Sequence, residues 1–356
     1  MKAINYILLF SFALLGSACE RILDFEGPSD EISNSMIINA VAVADTAFTV
    51  YLSRAYAVNA TPSLMYYDYE HALFGSDDAA TDYQTYAYYK KTAINDAQIE
   101  VNVNGQQTYA MVLKEDSMGY VSSYTPKEGD HIVVTANEKG QELRAEATVP
   151  AKPKIEVVSY EVIPENPYMD VNRLVNKMDT IMRLTCRITD AGGAQYYRLR
   201  IRGERTDHYK TFNIPITYYY MQDIYFSDDE LFVDDRLTSG FGGWKPYFSN
   251  VFDNKLMNGG SYTFTLDTPK AGNTSGYMRI LTANWNSEGP EVPPRVMVEL
   301  QAISYDYYRY LKSVQLYRIA EDDKNAEPIL IHSNVQNGWG ILGALSYDRH
   351  FVEYGD

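Results

Sequence analysis

The stretch Ala97–Lys114 constrains the fold more than any other part of this chain. Ile99, Val101 and Val103 alternate with Glu100 and Asn102, the period of two that turns one face of a strand toward a core. Asn104-Gly105 follows. This pair is favoured in tight hairpin turns because both residues tolerate positive φ, and Gln107–Lys114 supplies the return strand. The same grammar recurs elsewhere. His131–Asn137 and Glu142–Val149 flank Lys139-Gly140, and Ser35–Ala44 and Ala47–Arg54 flank Asp45-Thr46. Short strands at this spacing predict a mainly β fold, with an immunoglobulin-like β-sandwich over residues 35–152 that ends at Pro150 and Pro153.

The chain has 356 residues and is 46% hydrophobic, enough for two cores rather than one. A second β-rich, sandwich-like domain is expected over residues 153–356. Its strand candidates are Ile155–Val162, Thr180–Thr189, Tyr196–Arg202, Thr211–Tyr220, Ser261–Leu266, Tyr277–Ala283 and Pro294–Ile303. In Tyr196–Arg202 the alternation turns Tyr197, Leu199 and Ile201 inward and Arg198, Arg200 and Arg202 outward. Ser227 reads as the N-cap of a short helix whose first turn carries Asp228-Asp229-Glu230. Ser304–Ala320 predicts one longer helix near the C-terminus. Tyr307, Leu311, Val314 and Tyr317 fall on one stripe, and Asp306, Arg309 and Lys312 lie on the rest.

One segment breaks the first sandwich. Residues 55–91 are too long for an ordinary connection. They carry Tyr66, Tyr67, Tyr69, Tyr86, Tyr88 and Tyr89 together with Asp68, Asp77, Asp78 and Asp82. Tyrosine is the compositional outlier, at 32 residues, and it serves both strands and binding surfaces. Two readings of the insert therefore stand: a ligand or partner surface on a rigid sandwich, or a segment folded back onto the second domain.

The N-terminus gives an address. Lys2, the apolar run Ile4–Leu15 and the small residues Gly16-Ser17-Ala18 have the parts of a secretory signal over residues 1–18. The apolar run is shorter than the roughly 20 residues that span a bilayer. Cys19 stands immediately after the small residues, where a bacterial lipoprotein signal places the acylated cysteine; an ordinary secretory signal is the alternative. Leu15 lies one position further from the cysteine than a strict lipobox puts its leucine. Residues 19–34, with Glu20, Asp24, Glu26, Asp30 and Glu31 around Gly27-Pro28, read as an acidic tether. Two acyl chains on Cys19 suffice for stable membrane attachment.

Charge narrows the partners. A formal net charge of −16 argues against nucleic acid, which calls for a basic patch. The five histidines show no metal-binding spacing, and neither a nucleophile elbow nor a P-loop is present. The acidic runs lack the alternating carboxylates and glycine of a calcium loop, and read as solvated. The expectation is no metal, no cofactor and no catalytic residue. With Cys19 acylated, Cys186 has no partner for a disulfide. Its parity with Met182, Leu184 and Ile188 places it on a core face as a buried thiol.

The most specific pattern is near the C-terminus. Ser333-Asn334-Val335-Gln336-Asn337-Gly338-Trp339-Gly340-Ile341-Leu342-Gly343 follows the tyrosine-rich helix. This pattern resembles a family of Bacteroidota outer-membrane lipoproteins known as domain of unknown function 4249. Cys19-Glu20-Arg21 with Asp24, the pair Met36–Val43 and Thr49–Arg54, and Ala97–Val103 followed by Tyr124–Ala136 are similar to the same family. The resemblance implies outer-membrane attachment and operation beside a TonB-dependent receptor. It implies no catalytic residues. Ser333, Asn334, Gly338, Gly340 and Gly343 read as a helix-to-strand turn packed on the sandwich, with a ligand loop as the alternative. Trp339 reads as a core plug or an exposed anchor.

The function expected from these features is that of a non-enzymatic, lipid-anchored outer-membrane protein, facing the cell surface or the periplasm. It would be an accessory component of a TonB-dependent nutrient-uptake system, with a glycan, a peptide or another nutrient as ligand. The alternatives are a structural or adhesive envelope lipoprotein without a small ligand and, with least support, a hydrolase.

Overall fold

The computed structural model describes residues 35–55, 93–114, 119–163, 181–190, 192, 195–209, 214–221, 227–234, 247–257, 259–269, 287–290, 295–321 and 329–354. The first half is built from β1 (Met36–Val43), β2 (Thr49–Arg54), β3 (Gln98–Val103), β4 (Gln107–Lys114), β5 (Gly119–Ser122), β6 (His131–Glu138) and β7 (Gln141–Thr148). The predicted hairpins are present. Asn104 and Gly105 both take positive φ, and Gln106 N closes the turn onto Val103 O at 3.0 Å. Lys139 and Gly140 do the same between β6 and β7, where Glu138 pairs with Gln141. The four-residue β5 carries too little pattern to be read from the sequence. It pairs with β2 and β4.

Strand β4 changes layers. Its first half pairs with β3 and its second half with β5. The layer β1-β2-β5 thereby faces the layer β3-β6-β7 across one core, where Ile38, Val50 and Leu52 meet Val101, Ile132, Val134 and Leu143. Each such fully buried aliphatic side chain contributes ~1.5–3 kcal/mol of transfer free energy. The outward residues of β7 are exposed at every other position, as a two-layer sandwich with one wet face requires.

The second half comprises β8 (Lys154–Ile163), β9 (Ile181–Thr189), β10 (Tyr196–Tyr209), β11 (Ile214–Met221), β12 (Val233–Asp234), β13 (Tyr247–Phe248), β14 (Val251–Asp253), β15 (Ser261–Pro269), β16 (Ser287–Pro290), β17 (Arg295–Ile303), β18 (Val335–Gln336) and β19 (Trp339–Glu353). Helix α1 (Tyr305–Glu321) falls where the sequence places it. The expected strand at Tyr277–Ala283 lies outside the described residues. The layer β8-β9-β15 covers the layer β10-β17-β19, and Leu184, Cys186 and Phe264 meet Leu199, Val298 and Leu300 between them. Cys186 is fully buried, and burial pushes its thiol up to about 12.

Two local expectations are corrected. Ser227 is not the N-cap. Asp229 caps a single 3₁₀ turn, Glu230–Phe232, by accepting from Leu231 N at 2.9 Å, while Ser227 Oγ donates to Thr265 O. A turn this short is fixed by Leu231 and Phe232 entering the core, not by a helical stripe. In α1 the buried residues are Tyr307, Tyr308 and Lys312, while Tyr317 is exposed. Lys312 turns inward because its ammonium donates to Ser249 Oγ at 2.8 Å and lies over the Tyr308 ring at 5.9 Å.

Strand β19 belongs to both halves. Residues Trp339–Leu345 pair in parallel with β1, and Leu345–Glu353 pair antiparallel with β17. Leu342 and Ala344 enter the first core and Val352 the second. Helix α1 covers the junction, where Tyr307 and Tyr308 pack with Ile303, Ile341 and Leu345. One sheet therefore runs continuously from β11 through β19 and β1 to β18.

Candidate functional site

The glycine-rich motif is the joint between the halves. Strand β18 leads to a turn at Asn337, φ 57°, and then into β19. Asn334 acts as a surrogate strand. Its Oδ1 accepts from Leu342 N at 3.0 Å, and its Nδ2 donates to Leu342 O at 2.9 Å and to Glu146 O at 3.0 Å. Ser333 Oγ accepts from Val335 N at 3.3 Å. Gly340, at φ +105°, lies so close to β1 that a Cβ there would sit 1.9 Å from Ile38 O. A Cβ on Gly343 would sit 2.7 Å from the Tyr307 ring, and one on Gly338 2.8 Å from Met36 O. Gly338 and Gly340 let β1 approach backbone to backbone, and Gly343 makes room for the Tyr307 side chain of α1. Every polar group of the motif named here is directed at the protein itself. Trp339 is 40% exposed at the start of β19, so it is not a core plug. Tyr66, Tyr67, Tyr69, Tyr86, Tyr88, Tyr89 and Cys19 lie outside the described residues. The insert's two stumps meet at an isolated bridge between Ser53 and Ala93.

Two of the described acidic side chains, Asp190 and Asp229, are occupied by structural bonds. Asp190 accepts from Tyr197 Oη at 3.2 Å, Asn254 Nδ2 at 3.0 Å and Gly259 N at 3.1 Å, pinning the 254–260 loop. Asp229 accepts from Tyr262 Oη at 2.8 Å, and burial together with that bond pushes Tyr262 up to about 12. Among the described residues no group of three or more His, Cys, Asp or Glu is placed to hold a metal ion. Ser249 Oγ accepts from Lys312, but Ser249 is 1% exposed and therefore sealed from any substrate carbon.

Among the described residues, arginine, carboxylate and aromatic side chains gather on the outer face of β10, β17 and β19. Register places three rows there: Arg198–Gln301–Tyr347, Arg200–Glu299–Arg349 and Arg202–Met297–Phe351. Alternation explains the placement, since Leu199 and Ile201 fill the core opposite. Glu299 is 4% exposed between two arginine rows. It accepts from Arg349 Nε at 2.5 Å and from Gln301 Nε2 at 2.6 Å. The Arg349 guanidinium lies over the Tyr347 ring at 4.2 Å. Arg202 and Arg295 both donate to Glu204, at 2.9 and 2.7 Å.

This face sinks into a depression of about 210 Å³. Its lining includes Arg200, Arg202, Arg349, Glu299, Gln301 and Tyr347. A wider cleft of about 710 Å³ lies between the 3₁₀ turn and α1, lined in part by Glu230, Leu231, Phe252, Tyr308 and Lys312. The sequence placed Arg198, Arg200 and Arg202 outward but did not mark them as a site. The available signal was three arginines at alternate positions of one strand in an acidic chain.

These features define a class: a mainly β protein of two sandwiches fused through one shared strand, with a charged and aromatic sheet face. The chain belongs to the family described as Domain of unknown function (DUF4249), whose model matches residues 22–350. No curated protein matches it. Among solved structures it is similar, at 8% identity and a TM-score of 0.19, to a protein from Corynebacterium diphtheriae described provisionally as membrane anchored. That similarity covers 77% of this chain, which spans 56% of the other. No helix among the described residues is long and apolar enough to cross a membrane.

Proposed function

We propose that this protein is a lipid-anchored outer-membrane component that assists a TonB-dependent transporter in capturing a nutrient. The observation that carries the reading is Cys19, set directly behind a secretory signal and ahead of an acidic tether. The tether joins the body at Ser35, beside the insert's first stump, where Ala55 N donates to Ser35 O at 2.9 Å. The charged depression supports a binding role over a purely mechanical one. The sequence offers no motif that orders a nucleophile with a base, and the role we propose is non-enzymatic.

Affinity purification of the tagged protein in mild detergent tests this. Recovery of a TonB-dependent transporter, with slowed uptake in cells lacking the protein, is the expected result. Recovery of none, with normal uptake, would overturn it. Substituting Cys19→Ala is expected to shift the protein from the membrane to the soluble fraction. Protease shaving of intact cells reports which side of the membrane the body faces. A structural or adhesive role is the second reading. It is favoured by Val158, Tyr160 and Val162, all exposed on β8, a strand at the edge of its sheet.

A further inference from the structure

We infer that the depression between β10, β17 and β19 is a binding site for a carboxylate that carries a neighbouring hydroxyl, of the size and kind of a single sugar acid. This deepens the capture reading and rests on it for its biological sense. The argument begins with charge. Arg200, Arg202 and Arg349 line one depression, where Arg349 is paired with Glu299 and Arg202 with Glu204, in a chain of net charge −16. Guanidinium groups present paired N–H donors whose spacing matches the two oxygens of a carboxylate. The ordering of this face is already high, because Glu299 is buried and fixes Arg349 and Gln301 from below. A ligand carboxylate would therefore meet positioned donors rather than mobile ones.

The hydroxyl follows from a second observation. Gln301 is 6% exposed and lines the depression. Its Nε2 is engaged with Glu299, yet its buried Oε1 has no hydrogen-bond partner. Its register partner on β10, Arg198, holds a buried Nε donor that likewise has none. Buried polar atoms are nearly always paired, and exceptions call for an explanation. Arg198 is not among the residues that line the depression, so the ligand hydroxyl is assigned to the Gln301 acceptor, to which it would donate. The Tyr347 ring, in the same row, carries the Arg349 guanidinium at 4.2 Å and so helps to position that donor. A volume of about 210 Å³ suits one ring rather than a chain of them.

Isothermal titration of the purified full chain with D-glucuronate tests the inference, with D-glucose, acetate and inorganic phosphate as controls. Glucuronate is expected to bind. Glucose, which lacks the carboxylate, and acetate, which lacks the hydroxyls, are each expected to bind at least about tenfold more weakly, the scale of one charge-assisted hydrogen bond. Arg200→Gln is expected to weaken glucuronate by a similar factor, and Arg200→Lys to recover part of it. Gln301→Leu is expected to reduce discrimination against acetate; where that variant does not fold, the Arg200 pair carries the test. Absence of glucuronate binding would assign the unpaired atoms to solvent and overturn the inference. Phosphate or acetate binding as tightly as glucuronate would overturn it too, as would unchanged affinity in Arg200→Gln. The titration contains no transporter, so its failure is distinguishable from failure of the transporter partnership.

Discussion

The two sandwiches use their outer faces differently. In the first, β7 from Glu142 to Thr148 alternates exposed and buried positions, so only one face carries packing. In the second, every residue of β17 after Arg295 is buried, although Met297, Glu299 and Gln301 point away from the core. An ordinary sandwich face needs nothing more than polar residues. A face that buries a carboxylate and an amide between arginine rows bears desolvation without adding apolar packing. The contrast fits the proposal in which the first sandwich is scaffold and the second is shaped for recognition.

The shared strand permits that division, and the largest expected effect comes from separating the halves. Gly340→Ala puts a methyl group 1.9 Å from Ile38 O in a backbone conformation that L-residues avoid. The parallel pairing of β1 with β19 must shift, at a cost of at least ~3 kcal/mol. Urea unfolding should show a lower midpoint and, with the joint loosened, two transitions in place of one. A single transition at the parental midpoint would mean that the halves are not coupled through β19.

Asn334→Ala should act in the same direction and less strongly. It removes the bonds to Leu342 and Glu146 and leaves Leu342 N–H and C=O without that partner. A loss of ~1–3 kcal/mol is expected from unsatisfied buried backbone groups. Asn334→Asp keeps the acceptor for Leu342 N and loses the donors, so it should fall between Ala and the parent.

The hairpins of the first sandwich were legible because turn chemistry and alternation agree there. Asn104-Gly105 and Lys139-Gly140 take the positive φ their types favour, and Val101 and Val134 point where their parity predicts. The joint was legible only as a pattern. Nothing in the spacing of Gly338, Gly340 and Gly343 says that their missing side chains make room for Met36, Ile38 and Tyr307, which are distant in sequence. The binding face was hidden for a related reason. Arg198, Arg200 and Arg202 read as an ordinary solvated edge until register sets Gln301, Glu299 and Met297 beside them. Pairing between strands that are remote in sequence is a tertiary property, and a one-chain pattern does not carry it. The capping error at Ser227 was more local. Ser, Asp and Asp in succession offer three chemically adequate caps, and the burial of Leu231 and Phe232 selects Asp229.

Acid should weaken the scaffold. Glu138 is held below the ordinary carboxylate range by its hydrogen bond from Lys139, aided by Arg54, against the opposing effect of burial. Burial also opposes ionisation of Asp130, yet bonds from Tyr124, Asn104 and Lys127 N lower it overall. A depressed folded-state pKa contributes stability above the unfolded value, and that stability is lost as pH falls through the folded one. The urea midpoint should therefore drop between about pH 5 and pH 3, the window of ordinary carboxylates and just below. Glu138→Gln and Asp130→Asn should each flatten that dependence while lowering the plateau near neutrality. A pH profile unchanged in both variants would detach these carboxylates from the scaffold's stability.

The smallest stability effect should come from the face that matters most for recognition. Arg200 is half-buried on the outer side of β10, between Glu299 on β17 and open solvent along the depression. When Arg200 is changed, Arg349 remains to hold Glu299. Arg200→Gln should lower unfolding stability by no more than ~0.5–1 kcal/mol, the range of partly exposed charged positions. The same substitution is expected to lower glucuronate affinity at least about tenfold. Small cost in one assay and large cost in the other is the signature of a residue kept for a ligand. A residue kept for folding gives the reverse. If Arg200→Gln destabilised the chain as much as Asn334→Ala does, the outer face of the second sandwich would be a second structural layer, and the contrast between the two halves would collapse.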